Sequence, residues 1–188
     1  MKKETVLIIL FCPLLLIFLL LFSYKTTLFF TPLTVEQENT LHFLQGKEEL
    51  KLEYTVNEIS HLNDVKKVMG FMGYFLYGVL VILTGILTYY RKNKLYLRKL
   101  LFYGGIFSVA VILMKLVFIL LLFDFSFAIF HSLFFPQGNW QFPADSLLIQ
   151  TFPQEFFVKI GTIIFVQALF LGMGIIASSK YNLKYHKL

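Results

Sequence analysis

VMGFMGYFLYGVLVILTGILTYY, residues 68–90, runs straight into RKNKLYLRK, residues 91–99, and this junction decides how the chain is built. The first string carries no charged side chain, while the second holds Arg91, Lys92, Lys94, Arg98 and Lys99. A hydrocarbon core about 30 Å thick takes roughly 20 apolar residues of helix, and lysine and arginine collect on the cytoplasmic side of such spans. The two strings together predict a transmembrane helix that ends in the cytoplasm.

Three further runs have the same character, at residues 5–22, 100–123 and 156–177. The 188-residue chain is 57% hydrophobic, 18% aromatic and only 15% charged, with mean hydropathy +0.72. Soluble domains carry about 25% charged residues, so the surplus apolar side chains need lipid as their solvent. The expectation is an all-α integral membrane bundle of four spans, forming one membrane domain over residues 1–188. Met1 to Phe22 reads as an uncleaved anchor, because its apolar run exceeds a signal-peptide core of about 7–15 residues and no small-x-small site follows. Cys12, the lone cysteine, lies within that run and has no disulfide partner.

Charge sets the expected orientation. Lys2, Lys3, the five basic residues at 91–99, Lys180, Lys184 and Lys187 make ten of the 17 basic residues, against one acid, Glu4. Residues 23–67 carry five lysines and seven acids, and residues 124–159 carry three acids and one lysine. Both termini are therefore expected in the cytoplasm, with the outer segments at 23–67 and 124–155. The formal charge of +6 is explained by this asymmetry, which suits anionic lipid headgroups and argues against nucleic acid as a partner. Gly70 with Gly73, and Gly172 with Gly174, are candidate sites of close helix approach.

The outer segments have a local code. Thr34–Gln37 and Thr55–Glu58 read as capping boxes, Gly46 as a helix stop, and Leu50 to Tyr54 as a short strand within a small cap. From residue 56 onward nothing breaks the helical pattern before Tyr90. His61 and Asp64, three apart, share a helical face, where a carboxylate can fix the imidazole's tautomer and support its cationic form; an ordinary solvated pair has the same spacing. The second outer segment is crowded with phenylalanines yet broken by Pro136, Gly138, Pro143 and Pro153. It is expected to lie in the outer interface or to re-enter the bundle. Its His131 follows Asp124 by seven residues, again one helical face, and either bonds to backbone or serves chemistry. Lys115 is the one charge deep within a span, read as snorkelling or as a substrate contact.

TVNEISHLNDVKKV, residues 55–68, together with FDFSFAIFHSLFFPQGNWQFPADSLLIQTFPQEFF, residues 123–157, resembles the lipoprotein intramolecular transacylases called Lit, small four-span bacterial membrane proteins. The motif FHxLFFxxGxWxF is the more specific part. The resemblance implies an acyltransferase of the bacterial cell membrane, its active site on the extracytoplasmic side. The reaction implied moves the sn-2 acyl chain of a diacylglyceryl-modified lipoprotein cysteine onto that cysteine's own α-amino group, leaving a lyso form. Such a substrate brings its own nucleophile, which fits the absence of a serine or cysteine nucleophile motif in the outer segments. The enzyme then supplies a base, a donor to the oxyanion and orientation.

On this reading His61, His131 and Asp64 are catalytic, with His131 nearest the ester and His61–Asp64 its polar partner; which imidazole is the base is left open. Asn139, Trp140, Asp145, Asp124 and Lys115 are candidates for holding the substrate. No metal or other cofactor is expected. Two rival readings remain: a metal-dependent intramembrane hydrolase using His61, Asp64, His131 and Asp145, although no HExxH pair is present, and a non-enzymatic accessory subunit whose aromatic segment packs on a partner.

Overall fold

The computed structural model describes residues 3–184, with side chains from residue 4 to residue 179; Lys2 and Lys187, counted toward the orientation above, lie outside the described residues. Its elements are helices: α1 (Lys3–Phe30), α2 (Val35–Leu44), α3 (Val56–Tyr89), α4 (Lys94–Leu121), α5 (Phe123–Phe134), α6 (Leu147–Thr151) and α7 (Gln154–Lys184). Four of them, α1, α3, α4 and α7, are long and apolar enough to cross a membrane. These four make the bundle: α4 lies against α7 and α1, and α1 also meets α3 and α7.

Phe11, Leu15 and Leu19 of α1 meet Val79 and Leu83 of α3, Leu100 and Ile112 of α4, and Ala168 of α7. Lipid tails are as apolar as these side chains, so close packing rather than escape from water holds the spans together. Gly104 and Gly105 set that closeness. A Cβ on Gly104 would sit 2.9 Å from Leu15 Cδ2, and one on Gly105 2.7 Å from Ile176 Cγ1. Gly172 serves the same junction from α7, 3.0 Å from Val109 Cγ2, whereas Gly70 and Gly174 face open space and Gly73 has only Lys25 Nζ nearby. Thr26 and Thr27 add polar ties from α1 to Gln167 of α7, at 2.8 and 3.1 Å.

Both capping boxes form. Thr34 and Gln37 close the start of α2, and Thr55 and Glu58 the start of α3. Gly46, at φ +73°, takes the left-handed turn that follows Gln45 at the end of α2. The 34 residues of α3 reach about 51 Å at about 1.5 Å each, well beyond the hydrocarbon core. Its first dozen residues hold Glu58, Asp64, Lys66 and Lys67, the charged end of the helix. The helix carrying residues 5–22 likewise continues to Phe30. Only Leu122 separates α4 from the 12-residue α5, which at about 18 Å is too short to span.

The expected strand at residues 50–54 is absent: among the described residues no strand occurs. The alternation is real but has another use. Leu50 and Leu52 pack with Tyr54, Leu62 and Leu148, and no second strand lies alongside. In place of a ladder, the Asn39 side chain clips the backbone, accepting from Lys51 N at 2.8 Å and donating to Glu49 O at 3.0 Å.

Candidate active site

The first turns of α3, the whole of α5 and the loop after it meet at the end of the bundle opposite the basic 91–99 connection. Glu58 anchors the arrangement. Only 1% exposed, it accepts from Thr55 N at 2.7 Å, Thr55 Oγ1 at 2.8 Å and, across the sequence, Leu148 N at 2.8 Å. One carboxylate thus caps α3 and also seats α6 on it. Burial raises its pKa, but the bonds to Leu148 and Thr55 outweigh burial and leave it below the ordinary value. A second tie is Tyr54, whose hydroxyl lies 2.8 Å from Thr40 Oγ1 and 3.3 Å from Thr151 Oγ1.

Within this frame the two histidines come together. The His61 and His131 rings lie 6.0 Å apart, centroid to centroid, at an interplanar angle of 29°. They are 6% and 8% exposed. Phe135 stands edge-on to His61 at 4.8 Å and Phe142 lies 5.7 Å away, while Phe127 and Trp140 flank His131 at 3.9 and 4.9 Å. The α5 helix does this by its amphipathicity: it turns His131 inward and leaves Phe125, Ile129 and Leu133 exposed on its opposite face.

The imidazoles are held neutral. Burial first, then the neighbouring His131, pushes His61 down to about 4 against smaller upward pulls from Asn139 and Asp64. Burial likewise lowers His131, opposed by its bond to backbone. That bond joins His131 Nδ1 to Phe127 O at 2.9 Å, and because a carbonyl only accepts, Nδ1 carries the hydrogen and Nε2 keeps its lone pair. The backbone-bonded and the functional readings of His131 are therefore compatible.

Asp64 behaves differently from expectation. It does not bond His61; it accepts from Lys67 at 3.0 Å, Gln137 Nε2 at 2.8 Å and Asn139 Nδ2 at 3.0 Å. Those bonds hold its carboxyl below the usual range. The same-face argument placed Asp64 correctly but could not foresee competing donors from a loop over 70 positions away. His61 Nδ1 and Asn139 Oδ1 are both buried without a hydrogen-bond partner, although Asn139 lies close enough to act on His61.

The structure sets Asn139 and Trp140 beside the histidine pair, while Lys115, Asp124 and Asp145 make none of the hydrogen bonds or ring contacts around it among the described residues. Lys115 is exposed on α4 with no hydrogen bond or ion pair among the described residues. Asp124, on the expected face of α5, takes Gln154 Nε2 at 2.9 Å instead, and Asp145 is exposed, its backbone carbonyl accepting from Gln150. Among the described residues no group of three or more His, Cys, Asp or Glu side chains could hold a metal ion. The sequence reading does not single out Gln137 or Phe127, nor the reach of Glu58 to Leu148; Phe135 and Phe142 lie within the FHxLFFxxGxWxF motif without being named as site residues, and Phe127 stands one helical turn before His131.

Fold and site define a polytopic membrane protein with paired, aromatic-lined imidazoles at one end of a four-span bundle. Residues 33–157 match the family model described as lipoprotein intramolecular transacylase Lit, so the chain belongs to this family of membrane acyltransferases, which act on lipoproteins. The in meso structure of the membrane integral lipoprotein intramolecular transacylase Lit from Bacillus cereus is similar throughout, with TM-score 0.84 at 18% identity over 98% of this chain and 97% of that one. Two single-histidine variants of that enzyme, to arginine and to alanine, match with TM-scores of 0.79 at 18% identity, over 98% of this chain and 93% and 95% of theirs. No curated protein sequence matches.

Proposed function

We propose that this chain moves the sn-2 acyl group of a diacylglyceryl-modified lipoprotein cysteine to the α-amino group of the same cysteine, with His61 and His131 as its acid–base pair. The amine nitrogen attacks the ester carbonyl carbon. A C–N bond forms, the bond from that carbon to the glyceryl oxygen breaks, and the proton lost by nitrogen ends on the glyceryl oxygen. The result is an N-acyl, S-monoacylglyceryl product.

The observation that carries the reading is the convergence of two neutral, buried imidazoles within an aromatic enclosure. A neutral amine has two N–H bonds and one lone pair. Two Nε2 acceptors that each take one N–H turn the lone pair toward the ester. His61 is the base in this proposal, because only His61 has a carboxylate, Asp64, close enough to stabilise an imidazolium. Asp64 holds the Asn139 amide by its nitrogen, so Asn139 Oδ1 remains to accept from His61 Nδ1–H once the loop tightens on substrate. The imidazolium then donates to the oxyanion and to the departing oxygen.

Orientation follows from charge. Both termini and the 91–99 connection lie in the cytoplasm, which puts the histidine pocket on the extracytoplasmic side, where lipoprotein acyl chains reside. The spans are residues 5–22, 68–90, 100–123 and 156–177, and the chain forms one membrane domain.

Mass spectrometry of the N-terminal peptide of a diacylated lipoprotein, incubated with purified protein, tests the reading. The total acyl content stays constant while one chain moves to the amine, and His61→Ala and His131→Ala each slow this by about 100-fold or more. Full activity in both folded variants would remove the pair from the mechanism.

A further inference from the structure

The end of α3 and the start of α4 are held together at the 91–99 connection, where the Tyr90 and Tyr96 rings lie 4.6 Å apart. Farther along, Val79 and Leu83 of α3 share the core with Leu100 and Ile112 of α4 and Leu15 of α1. Toward the histidines the same helix faces are uncovered. Val68, Met72 and Phe75 lie within about 40° of Val79 around α3, yet Val79 is 1% exposed and Phe75 42%. On α4, Lys115 lies about 20° from Ser108; Ser108 is buried and Lys115 exposed. On α1, Phe22 lies about 20° from Leu15; Leu15 is buried and Phe22 exposed.

α3 and α4 therefore form a V, closed at the connection and open toward the histidines, with α1 at its back. The open end is bridged by α5, which leaves α4 after Leu122 alone and brings His131 to within 6.0 Å of His61 on α3, ring to ring. His61 shares the helical face of Val68, Met72 and Phe75, so its ring heads the slot. Val68 and Met72, both half-buried, line the α3 wall. Phe118 lines the α4 wall: it is exposed and lies about 180° around the helix from Val109, which meets Gly172 of α7. Lys115 stands about 10 Å along the axis from Leu122, and its long stem can line the slot while the ammonium rises toward the histidines.

A largely apolar slot that opens between two spans and ends at two imidazoles fits an acyl chain whose ester lies at those imidazoles. We infer that the sn-2 chain of the substrate enters sideways between α3 and α4, beneath α5, and lies along Val68 and Met72 with its ester carbonyl at the histidine pair. A chain of one leaflet occupies about half of the roughly 30 Å hydrocarbon core. Met72 is about 17 Å along α3 from His61, so such a chain ends near Met72, before Val79 closes the slot. Entry from the side also accounts for how a lipid reaches imidazoles that the aromatic enclosure buries. The inference takes its ligand from the acyl-transfer reading and its place from the V.

A diacylglyceryl-cysteine peptide with a photoreactive diazirine near the end of its sn-2 chain tests this on the full-length His131→Ala variant, which holds the substrate unreacted. After illumination, label is expected on residues 68–79 of α3 and 111–118 of α4; label concentrated on α2 or α7 overturns the inference. With the same background otherwise wild type, Val68→Trp should shift the ratio of transfer rates for sixteen-carbon and six-carbon sn-2 chains toward the shorter by at least about tenfold, the scale of one overfilled apolar site. An unchanged ratio in the folded variant also overturns it, and if Val68→Trp does not fold the labelling decides alone. Label in the slot without acyl transfer by the wild type leaves the inference standing and removes the catalytic reading, whereas transfer with label elsewhere does the reverse.

Discussion

Replacing Glu58 by alanine separates the frame of the site from its chemistry. The change orphans Leu148 N, a buried donor worth about 1–3 kcal/mol, and removes the capping partner of Thr55 N, worth about 1 kcal/mol more. The expected loss is about 2–4 kcal/mol, confined to the junction of α6 with α3, because the bundle core lies elsewhere. Local opening of α6 should become between about 30-fold and about 800-fold more frequent. Hydrogen–deuterium exchange over residues 147–151, read against residues 79–83 as an internal reference, measures this. A carboxyl whose folded pKa lies below its unfolded value stabilises fully above the unfolded value and loses that effect as pH falls through the folded one. Protection of α6 in the wild type should therefore persist at pH 5 and decay only below the ordinary glutamate value of 4.5. Unchanged exchange at α6 in Glu58→Ala would refute the claim that this carboxylate seats the second outer segment on the first.

Asn139→Ala should cost at least about tenfold in acyl-transfer rate, and ¹⁵N shifts of the His61 ring should lose their tautomer preference on substrate binding while His131 keeps its own; an unaltered His61 signature would remove Asn139 from the relay. Because burial pushes His61 down to about 4, the unfolded chain binds the extra proton between about 6.5 and about 4. Stability should be full above pH 6.5 and fall by roughly 3 kcal/mol toward pH 4, with His61→Phe flattening this slope in acid unfolding scans. Gly105→Leu should lower thermal stability by about 1–3 kcal/mol through overpacking against Ile176, whereas Gly85→Ala, with open space around it, should leave the unfolding temperature unchanged.

The four spans were legible because lipid imposes one demand on every residue of a span, and a run such as residues 68–90 states it without reference to anything distant. The capping boxes at Thr34 and Thr55 and the turn at Gly46 were legible for a similar reason, since each is completed within four residues. His61 and His131 could be chosen as ionisable groups in anomalous surroundings, one on a helix entering the bilayer and one among phenylalanines. What only the tertiary structure decided is every relation that crosses the chain: the 6.0 Å between the two rings, the diversion of Asp64 to Gln137 and Asn139, the bond from Leu148 to Glu58, and the use of Leu50 to Tyr54 as packing rather than strand. Hydropathy is a property of each side chain and can be summed along a sequence, whereas a hydrogen bond belongs to a pair, and which donor wins a given carboxylate depends on what the fold has brought within about 3 Å of it.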